Sequence, residues 1–147
     1  MTAVILGLLA DPEPGADATS LAIDRIMAAG RGYVLFAVEH PGRFRTAFCT
    51  LPHTEDAEPL EARLAASPPY AFLTGALDGL VDAGLMDPAL RPGAETGAWA
   101  AVHGLSILLI DGPYRDVDAA TRDSIISDTL EMVVRGLTGG RAVAARG

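Results

Sequence analysis

Along residues 20–40 apolar side chains recur at steps of three and four: Ile23, Ile26, Met27, Tyr33, Val34 and Ala37, with Gly30 among them. That spacing puts them on one side of an α-helix. Thr19 or Ser20 supplies an N-cap oxygen for the first free backbone N–H groups. Pro41 keeps His40 out of helical dihedrals, so the helix ends there. A short helix follows over residues 43–50, with Phe44, Ala47, Phe48 and Leu51 on one side. Residues 52–66 are polar and irregular, with one or two turns around 60–64. Ser67-Pro68 then marks a fresh start, a capping serine followed by proline at the first helical position. The helix over residues 68–83 carries Phe72, Leu73, Leu77, Leu80 and Val81. Gly84 suits the left-handed residue that closes a helix, with Leu85 packing back on Leu80.

Asp87-Pro88 opens a further turn, and Pro92-Gly93 restarts the chain. Residues 94–111 are apolar on nearly all sides, which calls for neighbours on every face, another subunit included. Gly112-Pro113 stops that helix. The last helix, ending at Leu137, shows Ile125, Ile126, Leu130, Val133 and Val134, with Asp123, Asp128, Glu131 and Arg135 opposite. Residues 1–9 read as the tail of a helix ended by Asp11-Pro12, and residues 138–147 as a disordered tail. No period-two alternation bounded by turn dipeptides competes with this pattern. The expectation is an all-α domain over residues 1–137, an antiparallel bundle of about six or seven helices.

A length of 147 residues is enough to bury a core without disulfides or metals. The formal charge is −8, and all eleven basic residues are arginine. An acidic chain with scattered arginines lacks the electrostatic footprint of a nucleic-acid binder, so direct DNA binding by this chain is not expected. Lysine, asparagine and glutamine are absent, which suggests a high-GC bacterial genome. Cys49 is the single cysteine and has no partner for an internal disulfide. The apolar run over residues 97–110 is too short to span a bilayer and contains His103. The protein reads as cytoplasmic.

Trp99 and His103 lie four apart on one helical face, and Gly104 lets a neighbouring backbone approach closely. Spacing alone is also met by a Trp–His packing pair inside a core. In this stretch, Trp99-Ala100-Ala101-Val102-His103-Gly104, the chain resembles the WHG-type C-terminal domain of TetR regulators. Residues 32–45, with Tyr33, Phe36-Ala37 and His40-Pro41, are similar to that family's aromatic-x-x-Phe-Ala-x-x-His-Pro helix. Val81-Asp82-Ala83-Gly84 and Leu105-Ser106-Ile107-Leu108-Leu109 match in order and spacing, so the likeness runs over residues 17–137.

The resemblance implies an effector-binding domain that forms a homodimer through its last two helices. Residues 1–10 would then be the end of a connecting helix, with the family's helix-turn-helix absent from the chain. The apolar faces of the last two helices point the same way: Leu105, Leu109, Ile126, Leu130, Val133, Val134 and Leu137 would pack on a twin copy in a four-helix bundle. The alternative is that residues 52–66 cover part of that surface. A ligand pocket between the helices would be lined by Tyr33, Phe36, Phe48, Phe72, Trp99 and His103, receiving a small apolar or aromatic effector through one or two hydrogen bonds from Tyr33 and His103. At least half of these residues would equally serve as core. The runner-up function is a stand-alone dimerisation module with no small-molecule ligand.

Enzymatic readings are weaker. His103-Gly104-Leu105-Ser106 resembles a hydrolase nucleophile turn, but Leu108 stands where that elbow needs glycine. His53 with Glu55 and Asp56 lacks a second histidine at metal-ligand spacing. His40 reads as a helix C-terminal residue, and Cys49 has no adjacent cation to activate it. No catalytic residue, cofactor or metal is expected.

Overall fold

The computed structural model describes residues 17–48, 62, 64 and 66–140. Among these are five α-helices and one 3-10 turn, with no strand: α1 (Ala18–Glu39), α2 (Pro41–Phe48), α3 (Pro68–Asp82), the turn Pro88–Leu90, α4 (Ala94–Ile110) and α5 (Ala119–Thr138). The expected helix over residues 1–9, the metal-like cluster at His53 and Cys49 lie outside the described residues.

Helix boundaries follow local chemistry. The cap of α1 is Asp17 rather than Thr19 or Ser20: its Oδ1 accepts from the Ser20 N–H at 2.7 Å. An aspartate is as good a cap as serine and also favours the positive end of the helix. At the other end His40 leaves helical geometry (φ −132°, ψ 55°) and its N–H donates to the Phe36 carbonyl. Pro41 begins α2 at once, two residues earlier than the apolar pattern suggests, because proline is pre-set for a first helical position. Gly84 closes α3 at φ 69°, and the Leu85 and Met86 N–H groups donate back to the Leu80 carbonyl at 2.9 and 3.0 Å. Asp118 caps α5 through the Thr121 N–H at 2.8 Å. That helix runs one residue past the expected end, since Thr138 is helical and buried with its hydroxyl donating to the Val134 carbonyl.

The long α1 is the hub. It packs against α3, α4 and α5, while α2 folds back on its end. Two apolar clusters result. One joins Ile23 and Ile26 of α1 to Leu77 and Leu80 of α3, with Leu85, Met86 and Val134. The other joins Tyr33, Val34 and Ala37 of α1 to Phe44 of α2, Val102, Leu105 and Leu109 of α4, and Ile126 and Leu130 of α5. Leu77, Leu80, Phe44 and Ile126 have no exposed surface. Each such side chain stabilises the fold by about 1.5–3 kcal/mol, and Leu80→Ala would cost about 2–5 kcal/mol because a cavity is left as well.

The two clusters do not merge. Between them the helices leave a hollow, with Gly30 in its wall.

Candidate functional site

Five helices contribute to the wall of this hollow. From α1 come Ile26, Ala29, Gly30 and Tyr33; from α4, Ala98, Trp99 and Val102; from α5, Leu130, Val133 and Val134. Leu73 and Tyr70 of α3 and Phe48 of α2 complete it, with Leu64, Ser67 and Pro69 on the side of the first turn of α3. The hollow offers about 80 Å³ of accessible volume, within about 730 Å³ of empty space that includes its opening to solvent. A cavity of ~150 Å³ holds a benzene ring, so the hollow takes a small fragment and the rest of any guest lies toward the opening.

Helical spacing brings the aromatic residues together. Tyr33 and Trp99 meet across α1 and α4, and the Trp99 Nε1–H donates to Tyr33 Oη at 2.9 Å. The same hydroxyl shares a 2.9 Å hydrogen bond with His103 Nδ1, one turn along α4 from Trp99. Phe48 lies 5.3 Å from the Tyr33 ring and 6.4 Å from Trp99, and Tyr70 lies 6.5 Å from Trp99. Burial holds His103 below the usual imidazole pKa, so it is neutral at physiological pH.

Of the six expected pocket residues, Tyr33, Phe48 and Trp99 line the hollow. His103 does not: it stands behind Tyr33, and its ring stacks on Phe44 with centroids 5.3 Å apart. Its role is to hold the Tyr33 hydroxyl. Phe36 turns to the end of α1, where its ring meets His40 edge-on at 5.4 Å. Phe72 is half-buried outside the lining because Leu73 faces inward, and one residue is about 100° of helical turn. Tyr70 was not anticipated, although it sits one turn before Leu73 on the same face. The aliphatic half of the wall carries no chemical signature in the sequence.

The expected dimer residues are also redistributed. Leu105, Leu109, Ile126, Leu130 and Val134 are buried in the chain's own core, and Leu130, Val133 and Val134 wall the hollow. They face inward because α1 already occupies that side of the α4–α5 pair. Val133 and Leu137 are half-buried beside Gly97 and Gly136 in a shallow groove. The outward side carries a different set: Gly97, Ala101, Gly104 and Leu108 on α4, and Ile125, Thr129, Met132 and Gly136 on α5. Leu108 and Met132 are 41% and 57% exposed. Gly97, Gly104 and Gly136 have open space where a side chain would stand. Residues 96–110 contain no Asp, Glu, Arg or Lys at all.

Away from the hollow, Arg91 clamps α3 to the start of α4: it meets Asp78 at 2.8 Å and Glu95 at 2.8 Å. Glu95 is buried and also accepts from the Thr74 hydroxyl at 3.3 Å. Ser106, the serine of the hydrolase-like turn, is fully buried and donates to the Val102 carbonyl at 2.7 Å, so it is in no position to act as a nucleophile. No group of side chains able to hold a metal occurs among the described residues, and no described helix is long and apolar enough to cross a membrane.

Comparison with known families shows residues 26–133 matching the model described as tetracyclin repressor-like, C-terminal domain. Neither the curated proteins nor the solved structures yielded a match.

Proposed function

Because the chain belongs to the tetracyclin repressor-like C-terminal domain family, we propose that it is the effector-binding and dimerisation part of a transcriptional regulator, with the hollow between α1, α3, α4 and α5 receiving a small apolar or aromatic molecule. The observation that carries this reading is an apolar, aromatic-walled space left open between two closed core clusters. Interiors of this size are otherwise packed to near-crystalline density, so a retained hollow favours a guest. A net charge of −8 weighs against the reading of DNA by this chain itself.

The second copy would sit on the outward side of α4 and α5. That surface is free of charge along α4 and offers three open glycines at which helices can approach closely. Two helices from each copy would form a bundle about a two-fold axis. The inner faces of the same helices wall the hollow, so a guest that shifts Trp99 or Leu130 acts on the pair that holds the dimer. A coupling of about 1–3 kcal/mol is typical of such a switch.

Two measurements test the reading. A thermal-shift screen with neutral hydrophobic compounds is expected to give a saturable rise in melting temperature. Sedimentation equilibrium is expected to show a dimer at micromolar concentration. A dimer with no response from any compound class would leave a pairing module without a ligand. A strict monomer with an inert hollow would remove both halves of the proposal.

A further inference from the structure

The described lining of the hollow bears on the charge state of the guest. None of the described lining residues carries a formal charge, and His103 stands behind Tyr33 with its Nδ1 engaged there. Among the described residues an anion in this space meets no arginine, and a cation meets no carboxylate. An unpaired buried charge is strongly disfavoured for either sign.

A helix start at the wall reinforces this. A helix N-terminus ordinarily attracts anions through its free N–H groups. Here α3 opens with Pro68 and Pro69, neither of which has an N–H. The same turn does supply neutral polar groups. Ser67 lines the hollow, and its hydroxyl makes no capping hydrogen bond to α3. Tyr70 brings a second hydroxyl three residues on.

We infer that the hollow selects uncharged molecules that combine a compact apolar body with a single hydroxyl, carbonyl or ester group, the body lying against Trp99 and Leu130 and the polar group against Ser67 and Tyr70. Carboxylic acids and amines of the same skeleton are rejected. The inference rests on the hollow being a ligand site, as proposed above, and narrows the class of ligand.

Trp99 is the chain's only tryptophan and lies in the wall, so its emission reports occupancy directly. The test titrates the full chain with cyclohexylmethanol, cyclohexanecarboxylate and cyclohexylmethylammonium, one skeleton in three charge states. The larger neutral dye N-phenyl-1-naphthylamine serves as a fourth probe. The alcohol is expected to saturate with a Kd at least about tenfold below that of either ion, a margin set by the unpaired charge. A Ser67→Ala/Tyr70→Phe double variant is expected to weaken the alcohol several-fold and leave N-phenyl-1-naphthylamine little changed. Equal or tighter binding of either ion overturns the charge selection while leaving the pocket in place. Alcohol binding undiminished in the double variant overturns the assignment to Ser67 and Tyr70. No response of Trp99 to any of the four probes overturns the inference together with the ligand site it rests on.

Discussion

Gly30 of α1 lies against Leu130 of α5. A Cβ added there would fall inside the van der Waals envelope of Leu130 Cδ2, with Val102 Cγ1 at 3.4 Å. Two opposing effects set the outcome of Gly30→Ala. Replacing a glycine in a helix interior gains about 1 kcal/mol, and overpacking a filled contact costs about 1–3 kcal/mol. The net expectation is a loss of about 0–2 kcal/mol, which for a chain of this size is a fall of at most about 8 °C in melting temperature. The clash is with the tip of a flexible side chain that borders the hollow, so Leu130 relieves it by swinging inward. A methyl group is about the size of a water molecule, so the displaced side-chain tip takes up part of the accessible space in the hollow. Gly30→Ala should therefore weaken cyclohexylmethanol binding by about tenfold or more with little loss of stability. The control is Gly75→Ala in α3, where a Cβ meets nothing within 4 Å; it should stabilise by about 0.5–1 kcal/mol and leave binding unchanged. Paired denaturation curves and Trp99 titrations decide the matter. If Gly30→Ala behaves like Gly75→Ala in both, the contact with Leu130 and the hollow beside it are not as described.

Three further outcomes follow from other parts of the fold. Gly104→Arg or Met132→Glu, both on the outward side, should shift the sedimentation equilibrium to monomer while leaving the helical circular dichroism intact; unchanged dimers would move the interface elsewhere. Glu95→Ala should cost about 2–4 kcal/mol in urea denaturation, somewhat less than the ~3–5 of a fully buried pair, because Arg91 keeps Asp78 and a side chain 20% exposed to water. Burial lowers the pKa of His103 from its ordinary 6.5, so below that pH the unfolded chain takes up a proton that the folded chain resists. Stability is then full above pH 6.5 and declines as pH falls below it. Asp111, held low by Arg45, and Asp118, held low by the Thr121 N–H, are also depressed; their contributions are full above the ordinary 3.8 and decline only below it. A decline between pH 6.5 and 5 that survives in His103→Gln would contradict the assignment to His103.

What could be read from the chain alone was most of what depends on neighbours in sequence. Steps of three and four marked α1, α3 and α5, an all-round apolar run marked α4, and Pro41, Gly84 and Gly112 marked where helices stop, because caps and breakers act through bonds and clashes within one turn. The family resemblance was also legible, since its motifs are contiguous. What only the packing decided was direction. An apolar residue on a helix is committed to burial but not to a particular neighbour, and α4 is apolar on nearly every side. Leu105 and Leu109 could therefore face a twin or α1 on sequence grounds, and α1 claims them. The same holds at the hollow: Tyr33 and Trp99 were findable as aromatic residues in a motif, whereas Ile26, Leu130 and Val134 become a wall only because α1, α3, α4 and α5 pack around a space that they do not fill. A void is a property of how several helices fail to close, and no single stretch of chain encodes it.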